Sequence, residues 1–251
     1  MSKTKTKTAN RKPIPILVYH QIAAAPPKGS PFRSLYVAPE AFARQMAWLK
    51  LLGYTGLSMG ALRPYLLGEK RGKVVGITFD DGYQNNLIHA LPVLQKQDFS
   101  STCYAVSGLL GMTNVWDESL GIAQTPLMNE VEIRQWAAAG QEIGSHTHRH
   151  VDLTATDDEG CRVEIALGKT ELESIMGQPV DHFCYPYGHY DGKHMAIAAE
   201  MGFVTATTTQ RSRCHAQTDL LQLPRVPVLR STSLPVFWLK IATSYEDRRK
   251  K

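Results

Sequence analysis

A chain of 251 residues, 43% of them hydrophobic and 20% charged, has room for one large buried core and the composition of a globular enzyme. Its net charge of +5 is carried at the ends: Lys3, Lys5, Lys7, Arg11 and Lys12 supply five positive charges and residues 246–251 a net two more, which leaves the body at about −2. That distribution excludes the basic stripe of a nucleic-acid binder, and no apolar run approaches the ~18 residues of a membrane span.

The division expected from these features is a disordered basic tail over 1–12, a single domain over 13–240 and a basic C-terminal tail over 241–251. The tails are either plain solvated ends or a peripheral attachment to an anionic membrane surface, worth ~1 kcal/mol per basic residue. The opening MSKTKTKTANRKP lacks the apolar stretch of a secretory signal, so a cytoplasmic location is expected, including the inner face of the membrane. Cys103, Cys161, Cys184 and Cys214 form no CxxC pair. Reduced thiols are expected, with neither a zinc ribbon nor a disulfide framework.

In chain order, a strand is predicted over 14–19, ending at His20. A helix follows over 39–52, with Phe42, Met46 and Leu49 on one face and Gly53 as its stop. Strands at 54–57 and 74–79 come next, the second delivering Asp80 and Asp81 into a Gly82 turn. A strand at 101–106 precedes a long connection containing Trp116, which serves either a sugar face or the core. A helix over 129–139 leads to a strand at 142–145 and then His146, His148 and His150. A helix over 157–176, a strand at 182–185 running into Tyr185-Pro186-Tyr187-Gly188, and strands at 204–207 and 225–229 complete the series. Apolar strands alternating with helices indicate a parallel sheet covered on both faces, and this number of units favours an α/β fold of the (β/α) barrel kind with seven or eight parallel strands.

In such a barrel, chemistry collects where strands end, and the unusual residues fall there. Adjacent Asp80 and Asp81 are open to a turn or helix-cap reading, but like charges side by side also call for a cation between them. His146 and His150, four apart, are expected on one side of a helical turn, where two imidazoles and a carboxylate would hold a divalent metal and leave positions open. Tyr185-Pro186-Tyr187-Gly188 is either a core corner or a sugar-facing turn, and Arg225 amid apolar residues demands an anionic partner.

Together, Thr78-Phe-Asp-Asp-Gly82, His146-Thr-x-x-His150 and Tyr185-Pro-Tyr-Gly188 resemble the polysaccharide deacetylase family with the NodB homology domain (carbohydrate esterase family 4). Val18-Tyr19-His20 and Pro224-Arg225 resemble the branch that includes poly-N-acetylglucosamine deacetylases. The resemblance spans roughly residues 14–230 and implies a distorted (β/α) barrel and hydrolysis of an N-acetyl group on an amino sugar, in a saccharide or a lipid-linked glycan precursor. It further implies Asp80 as general base, and Asp81, His146 and His150 as ligands of a divalent metal, with zinc the first choice and cobalt, nickel or manganese the alternatives. Arg225 would pair with Asp80, and the Tyr187 backbone N–H would bind the oxyanion. His20 would be the general acid, since the family's late histidine has no counterpart after His215. Tyr185, Pro186, Gly188 and Trp116 are the candidate substrate contacts, and no protein partner is predicted. Competing readings are hydrolysis of another C–N bond (a cyclic amide or N-formyl sugar), a non-haem iron oxygenase built on the same triad, and a saccharide binder without catalysis.

Overall fold

The computed structural model describes residues 11–249. The order of elements is β1 (Ile16–Tyr19), β2 (Gln21–Ile22), β3 (Tyr36–Val37), α1 (Pro39–Leu51), β4 (Thr55–Leu57), α2 (Met59–Leu66), β5 (Val74–Phe79), α3 (Leu91–Gln97) and β6 (Thr102–Ala105). These are followed by α4 (Glu130–Ala138), β7 (Glu142–Ser145), α5 (Asp158–Met176), β8 (His182–Cys184), α6 (Gly192–Glu200), β9 (Thr205–Arg211), β10 (Leu223–Pro227) and α7 (Leu234–Ala242). Seven parallel strands close a ring in the order β1-β5-β6-β7-β8-β9-β10 and back to β1. β4 adds an eighth strand that pairs along the first half of β5, Val74–Gly76, while β6 pairs with its end at Thr78 and Phe79. The expected barrel of seven or eight parallel strands is the fold observed.

Local chemistry sets the helix ends. α4 opens on a capping box, in which the Asn129 side chain accepts from the Glu132 N–H and the Glu132 carboxylate accepts from the Asn129 N–H. α5 starts at Asp157, whose carboxylate takes the Gly160 N–H at 2.7 Å, and stops at Gly177 with φ 64°. The two helices and α1 cover the outside of the ring.

β5 shows how the site is aimed. All six of its residues are buried, and successive side chains face opposite ways. Ile77 and Phe79 point outward into the cluster of Phe42, Trp136 and Leu94, with Phe79 edge-on to Trp136 at 5.7 Å. Gly76, Thr78 and Asp80 alternate to the other side. A Cβ on Gly76 would meet the Leu62 side chain at 2.8 Å, because α2 closes the N-terminal mouth of the ring there. The other mouth is left for chemistry.

The structure departs from expectation at five points. α2 was not anticipated, as Gly60 and Pro64 interrupt its pattern, and the small parallel sheet of β2 and β3 was missed as well. The His146–His150 segment is not a helical turn. Thr147 and His150 both have left-handed backbone, φ 65° and 60°, and the loop is closed by the His150 N–H donating to Thr147 Oγ1 at 2.9 Å. The C-terminal stretch is no free tail up to Arg249: Glu246 is fully buried between Lys240 and Arg211, and Asp247 accepts from Arg213. At the other end Arg11 is docked on the carbonyls of Leu66 and His215. Lys3, Lys5 and Lys7 lie outside the described residues.

Candidate active site

Parallel strands end on one rim, so the residues that follow them meet there. His20 follows β1, Asp80 and Asp81 follow β5, His146 follows β7, and Tyr187 comes shortly after β8. The register Tyr19↔Phe79 between neighbouring β1 and β5 sets His20 beside Asp80, with Nε2 3.9 Å from Oδ2.

Asp80 is 3% exposed and held in a two-pronged grip by Arg225, Nη1 to Oδ1 at 2.6 Å and Nη2 to Oδ2 at 2.7 Å. Arg225 is itself 1% exposed and spends its remaining donors on the Thr208 carbonyl, Thr78 Oγ1 and Cys184 Sγ. Burial pushes the Asp80 carboxyl up. The charge and hydrogen bonds of Arg225, aided by His20 and His146, outweigh that and hold it below the usual carboxylate range. The anionic partner that Arg225 required is therefore Asp80.

Asp81, in a left-handed backbone at φ 73°, turns the other way. Its Oδ1 lies 3.4 Å from His146 Nε2 and 3.4 Å from His150 Nε2, and all three residues are buried. Burial opposes ionisation of Asp81 as well, and the two imidazoles more than offset it, holding its carboxyl well below the ordinary value. The spacing fits a metal. Ligand bonds of about 2.1 Å at tetrahedral angles put donor atoms about 3.4 Å apart, farther than a hydrogen-bonded pair prefers. The imidazole of His146 is also set up for it: Nδ1–H donates to the Cys184 carbonyl at 2.7 Å, which fixes the ring with Nε2 turned toward Asp81. His150 Nδ1 is buried with no partner among the described residues. His148, not counted as a ligand, faces away and pairs with Glu171 at 2.8 Å.

The proposed substrate contacts divide. Trp116 lies in the connection between β6 and α4, half-buried, and stacks on the His150 ring at 4.4 Å and 22°. That stack places it beside the candidate site and away from the main core. The Tyr187 ring is exposed and stands edge-on to His150 at 4.6 Å, on a left-handed backbone with φ 58°. Tyr185 is a correction: it is 1% exposed, its hydroxyl donates to the Leu221 carbonyl and its ring stacks on Tyr190, so a sugar cannot touch it. Pro186 is buried with it. Gly188 is pressed against Thr209, where a Cβ would fall 1.9 Å from Oγ1, and its role is to let the loop lie flat.

Two neighbours escaped the sequence reading. Tyr83, 3% exposed, has its phenol pushed up by burial and by the adjacent Asp81, and it stood in plain view one residue after Gly82. Asp117 has its carboxyl raised, by burial first and by the charge of Asp81, against the hydrogen bond from Asn114. Nothing local marked it except its place beside Trp116.

The polysaccharide deacetylase family model matches residues 67–206, 140 of the 251 residues. A deacetylase of Streptococcus pyogenes, PplD, solved in complex with acetate, superimposes with TM-score 0.81 at 26% identity, over 92% of this chain and 99% of that one. BC0361, a polysaccharide deacetylase from Bacillus cereus, gives TM-score 0.78 at 28% identity, over 92% and 69% of the two chains. The poly-beta-1,6-N-acetyl-D-glucosamine N-deacetylase of Escherichia coli K12 is 25% identical over 85% of this chain, which spans only 37% of that protein. With a model match over more than half its length and the barrel and rim residues in place, this chain belongs to the polysaccharide deacetylase family.

Proposed function

We propose that the protein is a metal-dependent hydrolase that removes the N-acetyl group from an amino sugar within a saccharide. The observation that carries this reading is the division of labour between adjacent carboxylates: Asp80 is clamped by Arg225, while Asp81 joins two imidazoles at ligand spacing. An oxygenase triad needs no such neighbouring base, and a binding protein needs neither group. The names of the similar proteins, polysaccharide and poly-N-acetylglucosamine deacetylases, support the same substrate class.

A divalent ion, zinc in the first instance, bound by Asp81, His146 and His150 would polarise the acetyl carbonyl and acidify water at the site. The rest is the work of this chain. Asp80, ionised and aimed by Arg225, accepts the proton of the attacking water. Its depressed pKa keeps it unprotonated at neutral pH, and its two oxygens are fixed by the guanidinium fork. The Tyr187 backbone N–H donates to the oxyanion of the tetrahedral intermediate. His20, 3.9 Å from Asp80 and 26% exposed, lies where a protonated imidazole can hand a proton to the leaving nitrogen. Acetate and a free amine result. Trp116 and Tyr187 flank His150 and wall the acetyl site against water. Asp80→Asn tests the reading: acetate release from N-acetylglucosamine oligosaccharides falls to background while metal content by elemental analysis stays at the wild-type ratio. A variant with wild-type turnover refutes the base.

A further inference from the structure

We propose that Asn86 is a positioning residue for His20, holding the main chain of that histidine level with Asp80. The proposal rests on the general-acid role given to His20 above and deepens it by naming what fixes the acid in place. Proton transfer to a leaving nitrogen needs hydrogen-bond reach, so a histidine displaced by about 1 Å can lose as much as ~100-fold in rate.

His20 has little of its own to hold it. It lies in the step between β1 and β2 with its side chain 26% exposed, and its ring makes no hydrogen bond among the described residues, standing 3.9 Å from Asp80 Oδ2. Its main chain is anchored instead. The β1–β5 ladder closes with the Asp80 N–H donating to the Tyr19 carbonyl at 3.0 Å. The next carbonyl, that of His20, accepts from Asn86 Nδ2 at 2.8 Å, and Asn86 Oδ1 accepts from the Ile22 N–H at 3.1 Å. One side-chain amide thus pairs the carbonyl before Gln21 and the N–H after it, as a residue of a neighbouring strand would.

Asn86 is fully buried, where leaving either amide end unpaired is costly, so the two bonds fix its side chain and the His20 main chain together. Asn85 reinforces the hold. Its Oδ1 also accepts from the Ile22 N–H at 3.1 Å, and its Nδ2 donates to Oε1 of the buried Gln21 at 3.0 Å. Both asparagines belong to the segment that begins at Asp80, and the Asn86 N–H donates back to the Tyr83 carbonyl at 3.1 Å. The turn that follows is π-helical over Asn86–Ala90, with the Leu91 N–H reaching back to the Asn86 carbonyl, a widening that recurs at functional sites. The segment that carries Asp80 therefore also grips the chain around His20, and so sets the distance between the two.

The test is a double-mutant cycle on acetate release from the N-acetylglucosamine tetrasaccharide by the zinc-loaded protein, using Asn86→Ala, His20→Ala and the double variant. Asn86→Ala should cut kcat about tenfold with KM within about twofold and metal content at the wild-type ratio, because only proton delivery suffers. His20→Ala should cut kcat about a hundredfold or more, and the double variant should match it within about twofold, since a misplaced acid matters only while the acid is there. Hydrolysis of 4-nitrophenyl acetate, whose phenolate leaves without a proton, should fall by less than about twofold in Asn86→Ala. A double variant whose loss is the product of the two single losses overturns the positioning role, as does an Asn86→Ala variant with unchanged kcat, or with a loss carried by KM or shared with the ester. Where Asn86→Ala does not fold, Asn85→Ala, which removes one of the acceptors from the Ile22 N–H, should show the same non-additivity on a kcat loss of about twofold to threefold. An additive loss there, or none, overturns the role equally. A His20→Ala variant with wild-type kcat sinks the general-acid reading itself, and the role of Asn86 falls with it.

Discussion

Arg225→Met is the sharpest probe of the rim, because the structure makes its consequences separable. Arg225 donates to Asp80 twice, at 2.6 and 2.7 Å, and also to the Thr208 carbonyl, Thr78 Oγ1 and Cys184 Sγ. Methionine fills similar volume and offers none of these donors. Asp80, 3% exposed, is then left as an unpaired buried charge, and breaking such a pair costs about 3–5 kcal/mol. In a domain of this size, where 1 kcal/mol corresponds to roughly 2–4 °C, that predicts a fall in Tm of about 6–20 °C. The sign with pH is fixed. In the wild type the Asp80 pKa is depressed, so pairing stabilises the fold above the ordinary carboxylate pKa and the gain is lost as pH falls through the lowered value. In the variant, burial acts unopposed and raises that pKa, so the unpaired charge is relieved by protonation in acid. The stability gap between the two proteins should be largest near pH 7 and shrink toward about pH 4, in the carboxylate range. Urea unfolding at both pH values measures it. Asp80→Asn/Arg225→Met, which removes the charge as well, should recover much of the loss in a double-mutant cycle. A variant within about 1 kcal/mol of wild type at pH 7, or a gap unchanged in acid, would refute the idea that the pair is held by charge.

Three further outcomes follow from the geometry. Zinc added to chelator-stripped protein should raise Tm, by the equivalent of about 2.7 kcal/mol when free metal is a hundredfold above its Kd, and His146→Ala or His150→Ala should abolish the rise. A wild type indifferent to zinc, cobalt, nickel and manganese in calorimetric scans would remove the metal from the site. Gly188→Ala, at φ +72° and with its new Cβ 1.9 Å from Thr209 Oγ1, should lose about 1–3 kcal/mol in urea titration and reduce acetate release by displacing Tyr187; wild-type stability and turnover would show that the loop has slack. Asp247→Asn should lose about 1 kcal/mol at neutral pH, since burial, which would raise its carboxyl, is overcome by hydrogen bonds from Arg213. Because that pKa is lowered, the loss should vanish as pH falls through the carboxylate range; a pH-independent loss would point to packing in its place.

The parts of this fold readable from sequence were those governed by short-range pattern. β5 announces itself as an apolar run ending in Asp80-Asp81-Gly82, and α5 by an Asp157 cap and a Gly177 stop. The parts missed depend on contacts that pattern does not carry. Tyr185 and Tyr187 are both tyrosines in one motif, two residues apart; one is sealed under Tyr190 and Leu221 and the other is exposed, because the backbone turns left-handed at Tyr187 itself. Glu246 and Asp247 stand among arginines and lysines that suggest a loose tail, yet Lys240, Arg211 and Arg213 wait for them on the folded surface.

Histidine spacing misled for a related reason. A separation of four suits a helical face, but a metal site asks only that two Nε2 atoms reach one point, and a loop with two left-handed residues does this while leaving Thr147 to close the turn. The neighbourhood of His20 and Asp80, by contrast, follows from topology. They are 60 positions apart, and no local signal joins them. Parallel closure of the ring sets the first strand beside the strand that ends in Asp80, with Tyr19 level with Phe79, so the next residue of each emerges on the rim at the same height. His20 and Asp80 are then adjacent because the barrel closes, and a change that shifted the β1–β5 register by two residues would separate them by about 6–7 Å while leaving both side chains facing the same way.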